Sequence, residues 1–168
     1  MGGAAATAGN MTPVAEANIM QDPYAADKVF SADWKVTMLG LDVTQKVVMT
    51  RELLEKIRVG NQHCGEFLSQ ITQLYFDFHK ETQNIDGCYV HDASTIVYAI
   101  APDIFTTQQG AVRVSKEGVA IGQTVIAPPG AKYCLDYWDN TPNSTICLDV
   151  DSDRFLSLLA TTLTTSKA

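Results

Sequence analysis

Short apolar runs rich in branched residues alternate with capped helical stretches along this chain, which restricts it to a layered α/β fold. Apolar runs at 36–41 (VTMLGL), 105–115, 119–126 and 145–150 predict strands, the middle two joined by a turn at Lys116-Glu117-Gly118. Asp22-Pro23 predicts a helix start, with Asp as N-cap and Pro at the first helical position, and that helix ends near Ser31. A second helix begins at Thr50, and a third covers 66–82. In the third, Phe67, Ile71, Leu74, Tyr75 and Phe78 recur at helical spacing and predict a core-facing stripe. His91-Asp92 opens a helix over 93–101 that Pro102 ends. Asp151 or Ser152 caps a last helix over 154–163, and the tail 164–168 is expected to fray. Residues 1–10, glycine- and alanine-rich, predict a loop whose backbone approaches something closely, and 130–143 predict an irregular loop.

With 168 residues the chain fits one domain over 1–168, large enough to bury a core without staples. Twelve Lys and Arg face nineteen Asp and Glu, a net charge of -7, which argues against a nucleic-acid partner because no basic surplus neutralises phosphates. No apolar run reaches the roughly 18 residues of a membrane span, so no membrane partner is expected. The start lacks the basic and apolar parts of a secretory signal. Cysteines 64, 88, 134 and 147 form no CxxC pair, which predicts buried or free thiols in a reducing compartment and a cytoplasmic location.

Three groups of residues carry candidate chemistry. Asn10, Glu16 and Asn18 place two amides and a carboxylate within nine residues, a set of donors and acceptors that suits a hydroxyl-rich ligand such as a sugar. The same residues also suit a polar loop that caps its own turns. His91-Asp92 pairs a ring that exchanges protons near neutrality with a hard oxygen ligand, at a helix N-terminus where Asp alternatively serves as an ordinary cap. Asp149, Asp151 and Asp153 read as caps and dipole partners of the last helix. His63 and His79 read as surface or helix-face residues without a role.

The pieces MGG at 1–3, GN at 9–10, TPVAEAN at 12–18, DPYAADKVF at 22–30, LGLDVT at 39–44 and VHDAST at 90–95 form a specific set. In order and spacing it resembles the C-terminal half of the inosine/uridine-preferring nucleoside hydrolases. The resemblance implies a Rossmann-like α/β fold, with a mostly parallel or mixed sheet and flanking helices. That fold would be incomplete here because the N-terminal half is missing. It implies calcium-dependent hydrolysis of the N-glycosidic bond of a ribonucleoside to ribose and free base. By the same resemblance, Met1, Asn10, Glu16 and Asn18 bind the ribose. Asp92 is then a calcium ligand, and His91 is catalytic, helping the base depart.

Two departures qualify what the resemblance implies. Many members of that family carry an aromatic residue where this chain has Ala17, which leaves base preference open. Members also begin with an aspartate-rich motif, DTDPGxDDA, that supplies most calcium ligands and the aspartate that activates water, and this chain has none. Since Ca²⁺ takes roughly six to eight oxygens, the isolated chain is expected to be inactive. Its open sheet edge predicts a homo-oligomer, or a missing half supplied by the full-length chain. The alternative is a truncated, non-catalytic nucleoside- or sugar-binding protein, or a subunit pairing with a full-length paralogue.

Overall fold

The computed structural model describes residues 1–165. Its elements run, in chain order, α1 (Ala17–Gln21), α2 (Pro23–Ser31), β1 (Thr37–Leu39), α3 (Leu41–Thr44), β2 (Val48–Met49), α4 (Arg51–Gly60), α5 (Gln62–Gln83), β3 (Cys88–Tyr89), α6 (Ala93–Ile100), β4 (Phe105–Val114), β5 (Thr124–Ala127), β6 (Asn143–Val150) and α7 (Ser152–Thr165). Two compact units result. The first joins 1–44 to 105–150, and the second joins 45–104 to 151 onward.

In the first unit, four strands form a mixed sheet in the order β1-β6-β4-β5, with β1 parallel to β6 and the other pairings antiparallel. The α/β class with a mixed sheet and flanking helices is therefore as the sequence predicts. Strand β6 begins at Asn143, two residues before the predicted run. Strand β5 is shorter than expected, because Gly118–Ala120 turns as a 3₁₀ helix instead of extending. Asp22 caps α2 as predicted, its side chain accepting from the Ala25 N–H at 2.9 Å. Helix α2 then lays Phe30 onto Met38, Val112, Val114 and Ile146 of the sheet, with Ile19 of α1 completing the cluster. Burying five such large side chains and a methionine supplies the main driving force here, at about 1.5–3 kcal/mol each.

The second unit is mainly helical. A two-stranded antiparallel ribbon, Val48 opposite Tyr89 and Met49 opposite Cys88, meets α4 and α5 around Met49, Leu54, Phe76 and Cys88. Asn61 forms the corner between α4 and α5. Its side chain caps α5 at Cys64 N–H (3.1 Å) and donates to the Leu163 carbonyl of α7 (3.1 Å). Gly65 lets the two helices approach, since a Cβ there would stand 2.3 Å from Arg58 Cα.

Here the structure corrects the sequence reading of α5. Phe67, Ile71, Leu74, Tyr75 and Phe78 are exposed, Leu74 by 84%. The buried side of α5 is Gly65, Phe76 and His79. Hydrophobic period identifies a face but not its partner. Close packing against α4 at Gly65 turns the row of Gly65, Phe76 and His79 inward, and the row of Phe67, Ile71, Leu74, Tyr75 and Phe78 follows outward. His79, read as a surface residue, is 2% exposed. Helix α7 reaches Thr165, so Thr164 and Thr165 of the expected frayed tail are helical, and 166–168 lie outside the described residues.

Candidate functional site

Gly2 and Gly3, in the opening loop, lie beside the C-terminal end of β1. Gly2 N–H donates to the Leu39 carbonyl (3.0 Å), and Leu41 N–H donates to the Gly3 carbonyl (2.9 Å). In open α/β sheets, ligands gather at the carboxyl ends of strands, which makes this end of the unit the natural place for a site.

The loop is held by side chains from three other elements. Gly3 N–H donates to Glu16 Oε2 (3.0 Å) and Ala4 N–H to Thr124 Oγ1 (3.0 Å). Ala5 N–H donates to Asp42 Oδ2 (2.6 Å), and Ala6 and Thr7 N–H donate to Asp42 Oδ1 (2.7 and 3.1 Å). The Thr124 hydroxyl also donates back to the Ala4 carbonyl at 2.6 Å. Glu16, Asp42 and Thr124 are all buried. Buried carboxylates and hydroxyls demand partners, and the amides of an irregular loop supply them. Gly3 is indispensable to this path, because it sits at φ +88 and a Cβ there would meet Met38 Sδ at 2.8 Å.

On this scaffold stand the sugar-side candidates. Glu16 is the N-cap of α1: Oε1 accepts from Asn18 N–H (2.9 Å), and Oε2 accepts from Ile19 N–H (3.2 Å) besides Gly3. Oε1 thus accepts one of these three bonds and Oε2 two, with the residue 2% exposed. Asn10 is exposed and turns its carbonyl oxygen to Ala17 N–H (2.9 Å), which leaves its NH₂ group for other acceptors. Asn18 is also exposed, and its NH₂ group contacts the carbonyl oxygen and Sδ of Met1, both at 3.3 Å. The loop thus gathers Met1, Asn10, Glu16 and Asn18 on one side of α1, offering amide donors, an amide oxygen and a carboxylate.

His91 and Asp92 belong to the second unit, between β3 and α6. Asp92 stands at the N-cap of α6 but is itself helical (φ -68, ψ -38), and its exposed side chain makes no capping bond. The turn is held instead by Ser94, whose hydroxyl donates to the Val90 carbonyl at 2.7 Å. His91 meets Tyr89 and Tyr75 edge-on, with ring centroids 5.7 and 6.5 Å away. Behind them lies His79, packed among Tyr75, Tyr89 and Phe78 at 4.7, 4.9 and 5.4 Å. Its Nδ1 lies 2.8 Å from the Tyr75 carbonyl. Burial raises the Tyr75 and Tyr89 hydroxyls above their ordinary range, so both stay neutral donors; Cys88 and Asp92 add to the effect at Tyr75. His79 was missed by sequence reasoning, and its position four residues after Tyr75 on one helix face was the available signal. Asp151 caps α7 as expected, accepting from Arg154 N–H (3.0 Å), and Asp153 lies in the first turn of that helix, whereas Asp149 stands within β6 and accepts from Val150 N–H (2.8 Å) of the same strand.

Among the described residues, no group of three or more His, Cys, Asp or Glu side chains could hold a metal ion. No described helix is long and apolar enough to cross a membrane.

The profile of the inosine-uridine preferring nucleoside hydrolases matches residues 1–157, and the chain belongs to that family. It is 37% identical over 165 residues to the pyrimidine-specific ribonucleoside hydrolase RihA of Salmonella newport, a match covering 95% of this chain and 50% of RihA. It is 32% identical over 160 residues to the probable uridine nucleosidase 2 of Arabidopsis thaliana, again 95% of this chain and 50% of the relative. Among solved structures, the plant nucleoside hydrolase PpNRh1 matches with a TM-score of 0.92 at 34% identity, covering 98% of this chain and 52% of that one. The purine-preferring ribonucleoside hydrolase of Gardnerella vaginalis matches with a TM-score of 0.84 at 33% identity, over 98% and 50%. The chain therefore spans about half the length of the curated relatives it matches.

Proposed function

We propose that this chain carries the ribose-holding part of a nucleoside N-ribohydrolase, which cleaves the N-glycosidic bond of a ribonucleoside to ribose and free base. The observation that carries this reading is the buried Glu16 carboxylate flanked by the exposed amides of Asn10 and Asn18 on one clamped loop. Vicinal hydroxyls need that mixture of fixed donors and acceptors. Cleavage of such a bond passes through a transition state with oxocarbenium character, so holding the sugar ring rigidly favours it. Met1 would line the sugar. His91, flanked by tyrosines, would protonate or polarise the departing base.

The family resemblance brings calcium with it, and Asp92 offers one exposed carboxylate. The described residues do not fit a resident calcium ion by themselves, since they hold no cluster of three ligating side chains against the roughly six to eight oxygens the ion takes. The 168 residues alone are therefore expected to bind Ca²⁺ weakly and to release no ribose from inosine or uridine. Ribose release by the purified chain in Ca²⁺ would sink that expectation. Partners in this reading are a ribonucleoside and either a further copy or a polypeptide bringing the metal ligands, in the cytoplasm. The polar groups of Asn10, Glu16 and Asn18 on one loop also suit a second reading, a non-catalytic nucleoside- or sugar-binding subunit.

Titration of the purified chain with D-ribose, followed by NMR, tests the sugar site shared by both readings. Shifts at Asn10, Glu16 and Asn18 that vanish in an Asn10→Ala, Asn18→Ala double variant support it, and an unperturbed loop rejects it.

A further inference from the structure

We propose that Asp42 is a positioning residue for the sugar-holding loop, fixing the path that leads to Asn10; this rests on the ribose reading of Asn10, Glu16 and Asn18. Asp42 lies 32 residues beyond Asn10 in sequence, in α3, within the LGLDVT piece of the motif set, which by itself assigns it no role. Its buried carboxylate nevertheless takes three successive amides, Ala5, Ala6 and Thr7, on two oxygens. Around Asn10 the loop is fastened again, Gly9 N–H donating to the Pro13 carbonyl and Met11 N–H to the Ala15 carbonyl, both at 3.1 Å, while Asn10 Oδ1 accepts from Ala17 N–H. Asn10 thus sits in a local clamp downstream of the one on residues 5–7. The local clamp ties 9–11 to 13–17, whereas the upstream one depends on a single carboxylate of α3.

The chemistry requires Asp at this position. A carboxylate offers acceptors on both oxygens, and hydrogen bonds to a charged acceptor are the stronger kind. Asparagine has the same shape but turns one of those acceptors into a donor, which would face Ala5 N–H or the Ala6 and Thr7 pair. The loop must then move or leave buried amides unpaired. Glu16 and its cap on α1 do not involve Asp42, so Asn18 should stay in place while residues 5–7 are freed and Asn10 keeps only its local bonds.

The experiment uses the ¹⁵N-labelled chain, wild type and Asp42→Asn, with D-ribose as the probe. In the variant we expect amide exchange at Ala5, Ala6 and Thr7 to accelerate while Asn18 and Ile19 stay protected. The dissociation constant for ribose should rise about tenfold or more, measured on folded protein well below its melting temperature. A merely structural role would lower the melting temperature and leave that constant unchanged, and this result overturns the proposal. Should the variant not fold, wild-type exchange decides: Ala5, Ala6 and Thr7 amides exchanging as fast as in an unfolded chain overturn it, and slow exchange upholds the clamp. Wild-type protein that fails to bind ribose at Asn10, Glu16 and Asn18 overturns the ribose reading and the positioning role together. Wild-type binding with an unaffected variant overturns the positioning role alone.

Discussion

Asp27 and Arg113 form a two-pronged ion pair, with Nε and Nη2 of the arginine 2.7 and 2.8 Å from the two carboxylate oxygens, and it ties α2 to β4. Val114 N–H (3.0 Å) and Lys116 Nζ (2.9 Å) also donate to Asp27, and Arg113 Nη1 reaches the Tyr137 carbonyl. Burial alone would raise the Asp27 carboxyl; the hydrogen bonds from Arg113, Val114 and Lys116 outweigh it and hold the group well below the usual carboxylate range. Because the folded value lies below the unfolded one, this contribution is complete above about pH 4 and is lost as pH falls through the folded value. Asp27→Ala leaves Arg113 half-buried without its partner and should cost about 3 kcal/mol at neutral pH, read by urea unfolding. The gap between variant and wild type should narrow steadily as pH falls below about 4; a gap unchanged down to about pH 2 contradicts the assignment.

Phe76 and Leu74 are two residues apart on α5 and should respond oppositely. Phe76 is 1% exposed and Leu74 is 84% exposed. Phe76→Ala is expected to cost about 3–5 kcal/mol, and Leu74→Ala to stay within about 0.5 kcal/mol. Equal costs in denaturant titrations would mean that the outward row is covered in solution.

Asn61 serves α5 as a cap and α7 as a donor through one side chain. Asn61→Ala should therefore lose about 1–2 kcal/mol, more than a cap alone, whereas Asn61→Asp keeps the cap but sets an oxygen in place of the donor to the Leu163 carbonyl. Chemical denaturation of the three proteins should rank wild type above Asp and Asp above Ala.

The four cysteines are free thiols. Burial pushes Cys88 and Cys147 up to about 11, whereas Cys134 is exposed. A thiol reagent at about pH 8 should label Cys134 first and leave Cys88 and Cys147 untouched until the protein unfolds, as peptide mass mapping would report. Rapid labelling of Cys147 in folded protein would contradict its place in the sheet.

Much of this architecture was readable where a local rule was enough. Asp22-Pro23 and Thr50 marked helix starts because caps act over three residues, and Thr50 does accept from Leu53 N–H at 3.2 Å. Helix α1 was not read from the sequence, being five residues long and capped by Glu16, a residue type seldom used as an N-cap. The two-residue strands β2 and β3 carry no period to detect. The orientation of α5 needed knowledge of Gly65 against Arg58, a contact that hydrophobic spacing does not encode. Within the candidate site, Asn10, Glu16 and Asn18 were visible as a local cluster. Asp42 and Thr124 were not, because their partners in the loop lie 35 to 37 and 120 residues away.

A run of backbone amides in a glycine- and alanine-rich loop is the usual way a protein cradles phosphate. From Gly3 to Thr7 each amide already has a buried acceptor, two of the three acceptors being carboxylates. The loop therefore resembles a phosphate cradle in composition while being closed to phosphate in fact. A neutral polyol can approach it, whereas a phosphorylated one would bring its charge toward Glu16 and Asp42 with no backbone amide between Gly3 and Thr7 left to receive it. Discrimination between a nucleoside and its 5′-phosphate would then follow from the loop's own hydrogen bonds, and comparing D-ribose with ribose 5-phosphate as ligands would measure it.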